Sequence, residues 1–488
     1  MSNKISIAVA PGDGIGPEIM KAVLKIFDAA QVPLEYVFVE MGKSLFDKGL
    51  STGMTPEAKQ QVETLGVLFK GPMETPKGKG VKSINVTARK VWNTYANNRA
   101  FKSLPGVETV FSKAGIPIDL TIVRENIEDT YGGIEHLLTH DVALCRRFIT
   151  RPGSLQVHRY AFEMARKKGS RRITCAHKSN IMKLTDGLFL ETFYEVAKEY
   201  PEIQSDDIII DDLAMKLVSR PQQFDVLVIP NLQGDIISDL CAGLVGGLGF
   251  APSANIGDHI SIFEAVHGTA PDIAGQDKAN PTALLLSGLI MLRHLGFAAA
   301  AARIENSLRY TLEQGVRTGD FGDPAQTPLG TQAFADVVIA NLGKVPGTQP
   351  VSEQATSFHV QERLPRPEKV KVMCSPKTEV ETINGADFFL ESTAQPSELG
   401  ALLTASIGDR FRLTTISNRG TQVWPEGSIF TECVNQYRAR IERQPDQTVS
   451  AQDMLDLARA LSDNIKICSV EMLMQFGDKK GYSLAQGQ

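Results

Sequence analysis

The sequence predicts an α/β chain with a largely parallel sheet, followed by a smaller α+β unit of ferredoxin-like order. Three observations carry this. Through residues 1–345, short apolar runs alternate with stretches of helical period. Val226–Ile229 is an unbroken apolar run, as in a strand covered on both faces. Residues 385–476 then read strand, helix, strand, strand, helix, strand.

The elements follow in order. Ile5–Ala10, Ile118–Val123, Ile173–Ala176, Ile208–Ile210 and Val226–Ile229 are the expected strands of the first part. Pro17–Ala30, Asn85–Tyr95, His158–Lys168, Lys183–Tyr200 and Pro281–Leu295 are the expected helices. Residues 346–384 carry Pro346, Pro350, Pro365, Pro367 and Pro376 with no sustained period, and read as a linker. In the tail, Ala386–Leu390, Phe411–Ser417, Val434–Ile441 and Ile465–Met474 are expected strands. Ser397–Ala405 and Ala451–Leu461 are expected helices, the second capped by Ser450.

Composition narrows the function classes. The chain has 488 residues, 42% hydrophobic and 22% charged, which is ordinary globular usage and length for about three domains. A net charge of −5 leaves no basic excess to hold a polyanion, so no nucleic-acid partner is expected. The six cysteines, at 145, 175, 241, 374, 433 and 468, form no CxxC pair. They read as reduced thiols of a cytoplasmic protein, not as a disulfide framework or zinc site. The N-terminus lacks the long apolar region of a signal peptide. The longest apolar stretch, Ala283–Leu292, contains Ser287 and Gly288 and falls well short of the roughly 20 residues a membrane span needs. No membrane partner is expected.

Gly12-Asp13-Gly14-Ile15-Gly16-Pro17 follows the first strand and resembles a dinucleotide fingerprint only in part. The sixth position is Pro17, and Gly16 falls one place early. A tight strand-to-helix turn with Pro17 in the first helical turn explains it more simply. Asp235 and Asp239 stand at i and i+4 beyond the strand Val226–Ile229, with Gly234 read as the strand-to-helix turn. Two carboxylates on one helix face suit Mg²⁺ or Mn²⁺. By spacing alone, one cap and one solvated aspartate explain the pair better. Asn85 and Arg89 are one helical turn apart, with Ser83 near that helix's N-terminus, where an anion is favoured. Arg99 and Arg124 add guanidinium forks that match carboxylates. Each of these, taken singly, is also explained as a cap or a surface residue.

Six motifs lift these readings together: GDGIGPE at 12–18, SINVTAR at 83–89, RENIEDTYGG at 124–133, HKSNIMK at 177–183, NLQGDIISD at 231–239 and EAVHGTAPDIAGQDKANP at 264–281. In this order they resemble the β-decarboxylating dehydrogenases, the family of isocitrate, isopropylmalate, homoisocitrate and tartrate dehydrogenases. Isocitrate dehydrogenase is the nearest likeness. The tail, with ISNRGTQVWP at 416–425, resembles the extra C-terminal domain of a bacterial isocitrate dehydrogenase group.

The resemblance implies that family's two-domain fold rather than the dinucleotide-binding one. A large domain is expected at 1–95 and 246–345, a small domain at 96–245 and a further domain at 385–488. It implies metal ligands at Asp235 and Asp239, and at Asp211 from a neighbouring subunit. Tyr131 and Lys178, with Asp211, match the acid–base residues. Ser83, Asn85, Arg89, Arg99 and Arg124 match the substrate carboxylate sites. His267, Gly268, Thr269, Ala270, Asp272, Ile273 and Asn280 match the cofactor's adenosine end, and Thr75 and Asn180 its nicotinamide side. The polar Ser83-Ile84-Asn85 favours isocitrate over an alkyl substrate. Asp272-Ile273, standing where NADP-using relatives have Lys-Tyr, implies NAD, because a carboxylate accepts from a ribose 2′-OH and repels a 2′-phosphate, and the further Tyr and Arg of those relatives are missing from the matching stretch Thr318–Asp323. The expectation is an NAD-dependent, metal-assisted, decarboxylating isocitrate dehydrogenase that is at least a homodimer, with Glu135–Gly153 clasping the partner. Homoisocitrate, isopropylmalate or tartrate as substrate, and a non-catalytic isocitrate-binding regulatory subunit, are the alternatives.

Overall fold

The computed structural model describes residues 4–74, 83–322, 327–352, 367–374, 376 and 379–484. Two compact units form. The first comprises 1–131, 149–178 and 188–373, and the second 132–148, 179–187 and 374–488.

The first unit is built on a ten-stranded mixed sheet. Its strands are β1 (Ile5–Ala10), β2 (Leu34–Phe38), β3 (Val67–Lys70), β4 (Ala96–Lys102) and β5 (Asp119–Glu125). After a hairpin of β6 (Glu135–Leu137) and β7 (Ala143–Cys145), which lies in the other unit, come β8 (Arg172–His177), β9 (Gln204–Ile209), β10 (Val226–Ile229), β11 (Pro252–Ile256) and β12 (Ser261–Ala265). The spatial order is β2-β1-β3-β12-β11-β4-β5-β10-β8-β9. Both ends are parallel; only the β12-β11, β11-β4 and β4-β5 pairs are antiparallel. The expected largely parallel sheet is therefore present, with an antiparallel seam at its centre. In β10, Val226 and Val228 join one core while Leu227 and Ile229 join another. That two-sided cover is why the run is apolar throughout.

The glycine loop is a packing device. Gly12 has φ +81° and Gly14 φ +58°, which side chains rarely adopt. A Cβ on Gly14 would lie 2.1 Å from the Thr269 carbonyl oxygen, and Ile15 N donates to that same oxygen at 2.9 Å. The loop's free N–H is thus spent on the chain's own backbone. The helix Gly16–Ala29 begins there, with Pro17 in its first turn as expected. The start of the linker is tied down: Gly347 N and Thr348 N donate to Glu313 of the helix Ala298–Glu313.

The second unit carries a six-stranded antiparallel sheet of β13 (Glu381–Glu391), β14 (Phe411–Asn418), β15 (Thr421–Trp424), β16 (Gln436–Arg443), β17 (Lys466–Phe476) and β18 (Lys479–Lys480). Its order is β15-β14-β16-β13-β17-β18. Without the two short edge strands this is the expected ferredoxin-like unit. The helices Pro396–Ser406 and Ala451–Ser462 pack Leu399, Leu403, Met454, Leu457 and Leu461 against Ala386, Phe388 and Leu390. Ser450 caps the second helix in a reciprocal box with Asp453. Residues of β13 that alternate with this core include Asp387, which holds Arg440 of β16 through two bonds of 2.8 Å. No described helix is long and apolar enough to cross a membrane.

Candidate active site

Five elements of the first unit bring the polar residues together. β4 supplies Arg99, β5 supplies Arg124, the helix Asn231–Leu244 supplies Asp235 and Asp239, and the helix Ile84–Val91 supplies Asn85 and Arg89. The short turn Asp129–Gly132 presents Tyr131. Ser83 is the N-cap residue of its helix, as its spacing suggested.

Arg124 and Arg99 are almost completely buried. Arg124 is locked by Asn231, whose backbone and side-chain oxygens accept from Nε at 2.9 and 3.0 Å, and it forms an ion pair with Asp235. Arg99 donates to Asn97 Oδ1 at 2.6 Å and to Ser238 Oγ at 2.5 Å, and its Nη1 lies 3.4 Å from Asp235 and 3.9 Å from Asp239. The Tyr131 hydroxyl donates to Asp235 Oδ2 at 2.6 Å, and the Arg124 guanidinium sits 4.9 Å over the Tyr131 ring.

The helix Asn231–Leu244 starts directly after Pro230, so Gly234 lies inside it and is not the strand-to-helix turn expected. Its glycine has a different cause: a Cβ there would lie 2.8 Å from Arg124 Cγ.

The electrostatics favour an anion and a cation side by side. Burial, with Arg124 and Arg89 nearby, pushes Arg99 down to about 9. Burial likewise holds Arg124 below its usual range, with Arg89 adding to it. Burial raises Asp235, but Arg124 and Arg99 outweigh it and hold the carboxyl below the usual range. Asp239 is held above that range, by burial first and by Asp235 in addition. Two carboxylates one helical turn apart, one disfavoured as an anion, suit a hard divalent cation. Tyr131 is raised by burial first and by its bond to Asp235 in addition.

A cleft of about 100 Å³ adjoins these groups, lined by Pro72, Asn85, Arg89, Arg99, Glu264 and His267, among others. Arg89 Nε and His267 Nε2 are both buried there without a hydrogen-bond partner among the described residues. A buried donor left unpaired is costly, so Arg89 Nε fits a bound acceptor, whereas His267 Nδ1 donates to Gly268 O and leaves Nε2 of the neutral ring as an acceptor that fits a bound donor. Lys70 and Glu264 complete the wall and were not singled out in the sequence. Glu264 forms ion pairs with Lys70 and, at 3.0 Å, Arg89, and Lys70 donates to Asn85 Oδ1 at 2.9 Å. Lys70 was signalled only by a charge at the end of the apolar strand VLFK, and Glu264 by a charge within SIFEA and by its place as first residue of the motif at 264–281.

Of the remaining expected residues, Gly268 joins His267 in lining the cleft, and the others do not line it. His267–Ile273 forms the loop behind the glycine turn, with Ala270 in a left-handed conformation at φ +39°. Gly268 is exposed, while Thr269 and Ile273 are half-buried. Asn280 is buried and donates to Asp320 at 3.1 Å. Lys178 and Asp211 form an ion pair with each other. Among the described residues no group of three metal-ligating side chains forms, so Asp211 does not join Asp235 and Asp239 within this chain. Asn180 belongs to the segment Ser179–Gly187 of the second unit. Thr75 lies outside the described residues.

Residues 6–338 match the Isocitrate/isopropylmalate dehydrogenase family, and residues 381–488 match the Bacterial isocitrate dehydrogenase, C-terminal domain. An isocitrate dehydrogenase [NADP] of Thermus thermophilus is 44% identical over 99% of this chain and 96% of its own length. A crystal structure of a Thermus thermophilus protein, also 44% identical, covers 99% of this chain and 96% of that one with a TM-score of 0.91. An isocitrate dehydrogenase [NAD] catalytic subunit of Arabidopsis thaliana is 49% identical, but over 68% of this chain and 88% of its own length.

These relatives correct the expectation of an NAD-dependent enzyme with NAD as cofactor. Relatives from Thermus thermophilus and two Rickettsia species that match the chain end to end are named for NADP. That expectation leaned on the pair Asp272-Ile273 and on the missing Tyr and Arg at 318–323. Asp272 is exposed on a single short turn, and its contact there is made by its backbone oxygen, which accepts from Gln276. No described bond fixes its carboxylate where a ribose would lie, so the side chain can turn to water. By both matches, the chain belongs to the isocitrate/isopropylmalate dehydrogenase family and carries the C-terminal domain of the bacterial isocitrate dehydrogenases.

Proposed function

We infer that the protein oxidises and decarboxylates isocitrate to 2-oxoglutarate and CO₂, with a divalent metal and with NADP, the cofactor its full-length relatives are named for. One observation carries the reading: buried Arg99 and Arg124, with Arg89 and its unpartnered Nε, converge on Asp235 and Asp239. A tricarboxylate supplies the negative charge that these crowded cations lack.

Asp235 and Asp239 would hold the metal, with Asp211 of a second copy. When bound, the ion supplies Lewis-acid polarisation of the 2-hydroxyl and the neighbouring carboxylate. Arg89, Arg99 and Arg124 hold the substrate's carboxylates, and Ser83 and Asn85 take the distal one. Lys178, with Asp211, relays the hydroxyl proton away; it accepts that proton as the neutral amine, after its own proton has passed to water. A bound nicotinamide would supply the hydride acceptor for C2. The Tyr131 hydroxyl, already oriented by Asp235, delivers a proton to C3 after CO₂ leaves. His267, Gly268, Thr269, Ala270, Asp272, Ile273 and Asn280, with Thr75 and with Asn180 of a second copy, would hold the cofactor. By family likeness, a large domain would comprise 1–95 and 246–345 and a small one 96–245.

A homodimer completes the site. Lys178 and Asp211 stay together and away from Asp235 and Asp239 in one chain. The helices Ile210–Ser219 and Asn231–Leu244 leave Met215, Val218, Leu232 and Ile236 exposed, an apolar face suited to the same face of a second copy. Initial rates with isocitrate and each nicotinamide cofactor, with and without a chelator, test the reading. It expects isocitrate turnover that the chelator abolishes and that runs faster with NADP. No turnover of isocitrate, or a chelator-resistant rate, refutes the reaction; faster turnover with NAD refutes the cofactor.

A further inference from the structure

The second compact unit joins the C-terminal domain to two short pieces of the preceding chain, 132–148 and 179–187. The latter piece begins one residue after Lys178. The β6–β7 hairpin is fastened to the C-terminal domain. Thr139 Oγ1 donates to Asn435 Oδ1 at 3.1 Å, and Arg146 Nη2 meets Glu471 of β17 at 2.5 Å. Arg146 N donates to Ile134 O, which continues the hairpin ladder one residue beyond β7. In extended chain, neighbouring side chains point opposite ways. Arg147 accordingly turns from Glu471 to the other piece. Its Nη1 lies 2.5 Å from Asp186 Oδ1 and 2.9 Å from Thr185 Oγ1.

The two contacts differ in weight. Arg146 and Glu471 are each nearly half exposed, and such pairs hold weakly. Asp186 has a fully buried side chain, and Arg147 is 16% exposed. A carboxylate without water requires its cation. Asp186 also stands in the first turn of the helix Thr185–Ala197, and its N–H donates to Met182 O at 3.0 Å. Arg147 therefore closes the end of the segment that starts beside Lys178.

We propose that the C-terminal domain acts as a brace for catalysis: through Arg146 and Arg147 it fixes segment 179–187 and thereby the placement of Lys178. Arg147 is a positioning residue for the proton transfer. The proposal rests on the reading of Lys178 as proton acceptor.

The test uses the full-length protein. Arg147→Gln should lower kcat by about tenfold or more, because misplacing a reacting group acts on turnover. KM for isocitrate should stay within about twofold, since the arginines of the carboxylate site are untouched. Arg147→Lys should restore most of kcat. Amide hydrogen exchange of residues 179–187 should quicken in Arg147→Gln and, less strongly, in Glu471→Gln. The glutamine variant at 471 touches only a half-exposed pair, so it decides the matter if Arg147→Gln does not fold. Wild-type kcat and exchange in the folded variants overturn the proposal. So does a parallel loss in kcat and KM that Arg147→Lys leaves uncorrected. Lys178→Met separates the underlying reading: full activity in that variant refutes the role of Lys178, whereas an inactive Lys178→Met beside an unaffected Glu471→Gln and Arg147→Gln refutes the brace alone.

Discussion

Replacing Gly234 by alanine tests how tightly the arginine site is built. The new Cβ would stand 2.8 Å from Arg124 Cγ and 3.0 Å from its Cβ, against 3.4 Å or more for ordinary contact. These atoms lie next to the β5 backbone, so the side chain cannot swing its far end away to make room. Its guanidinium is also held by Asn231 and Asp235. Arg124 must therefore shift by several tenths of an ångström at its base, and further at its tip. Two terms compete in stability. Alanine gains about 1 kcal/mol over glycine inside a helix, while overpacking a filled site costs about 1–3 kcal/mol. The net change in unfolding free energy should thus be a loss of no more than about 2 kcal/mol. Activity has no such compensation. A misplacement approaching 1 Å costs about 10²-fold, so kcat/KM for isocitrate should fall by that order while the protein stays folded. Gly243→Ala in the same helix is the control, because no heavy atom stands within 4 Å of its added Cβ. It should keep wild-type kcat/KM. Urea unfolding and steady-state kinetics measure both quantities. Wild-type kcat/KM in Gly234→Ala would refute the packing argument.

Further outcomes follow from other buried charges. Burial raises the Glu264 carboxyl, but Lys70 and then Arg89 outweigh it and hold it far below the usual range. Its contribution is present above the ordinary carboxylate pKa and lost as pH falls below about 4. Glu264→Gln, which leaves Lys70 and Arg89 buried without a carboxylate, should lower the unfolding free energy by about 3–5 kcal/mol at pH 7 in urea titrations, with the gap narrowing below pH 4. His158, buried between Phe189 and Phe193, is pushed down to about 3 by burial. A neutral folded histidine stabilises above pH 6.5 and loses that contribution as pH falls from 6.5 towards 3, by about 1.4 kcal/mol per unit. His158→Leu should flatten the stability profile there, and an unchanged profile would contradict it. Mixing inactive Lys178→Met with inactive Asp235→Asn should restore about a quarter of the wild-type rate after random subunit exchange, because one site per hybrid dimer is then intact. No recovery would contradict shared sites.

The legible parts of the fold were those whose burial follows one rule. β10 is apolar throughout because both faces are covered, and β1 is apolar from Ile7 to Ala10, where it is buried; the ends of both were read as observed. The C-terminal unit was legible because its strands alternate with two amphipathic helices and Ser450 announces a helix start. β4 was hidden. Its sequence, ANNRAFK, places Asn97 and Arg99 in the interior, where they serve the site and break the apolar pattern. β11 was hidden by Pro252 at its start and by buried Asn255. The helix Arg151–Lys168 starts seven residues before the expected His158, since its first turns are polar and its cap, Thr150, was not marked. Asp235 and Asp239 were legible as a pair, but their convergence with Arg99 and Arg124 depends on the β4-β5 pairing, which no local pattern reveals. Lys70 and Glu264 meet only because β3 lies beside β12. Asp272 misled because a charge in a loop says nothing of where its carboxylate points.

Manganese binding tests the central claim most directly. Free Mn²⁺ is followed by its paramagnetic resonance signal as isocitrate-saturated protein is titrated, for the wild type and for Asp235→Asn with Asp239→Asn. The account predicts one tight Mn²⁺ per chain in the wild type, dependent on isocitrate, and its loss in the double variant. Undiminished isocitrate-dependent binding in the double variant would contradict it.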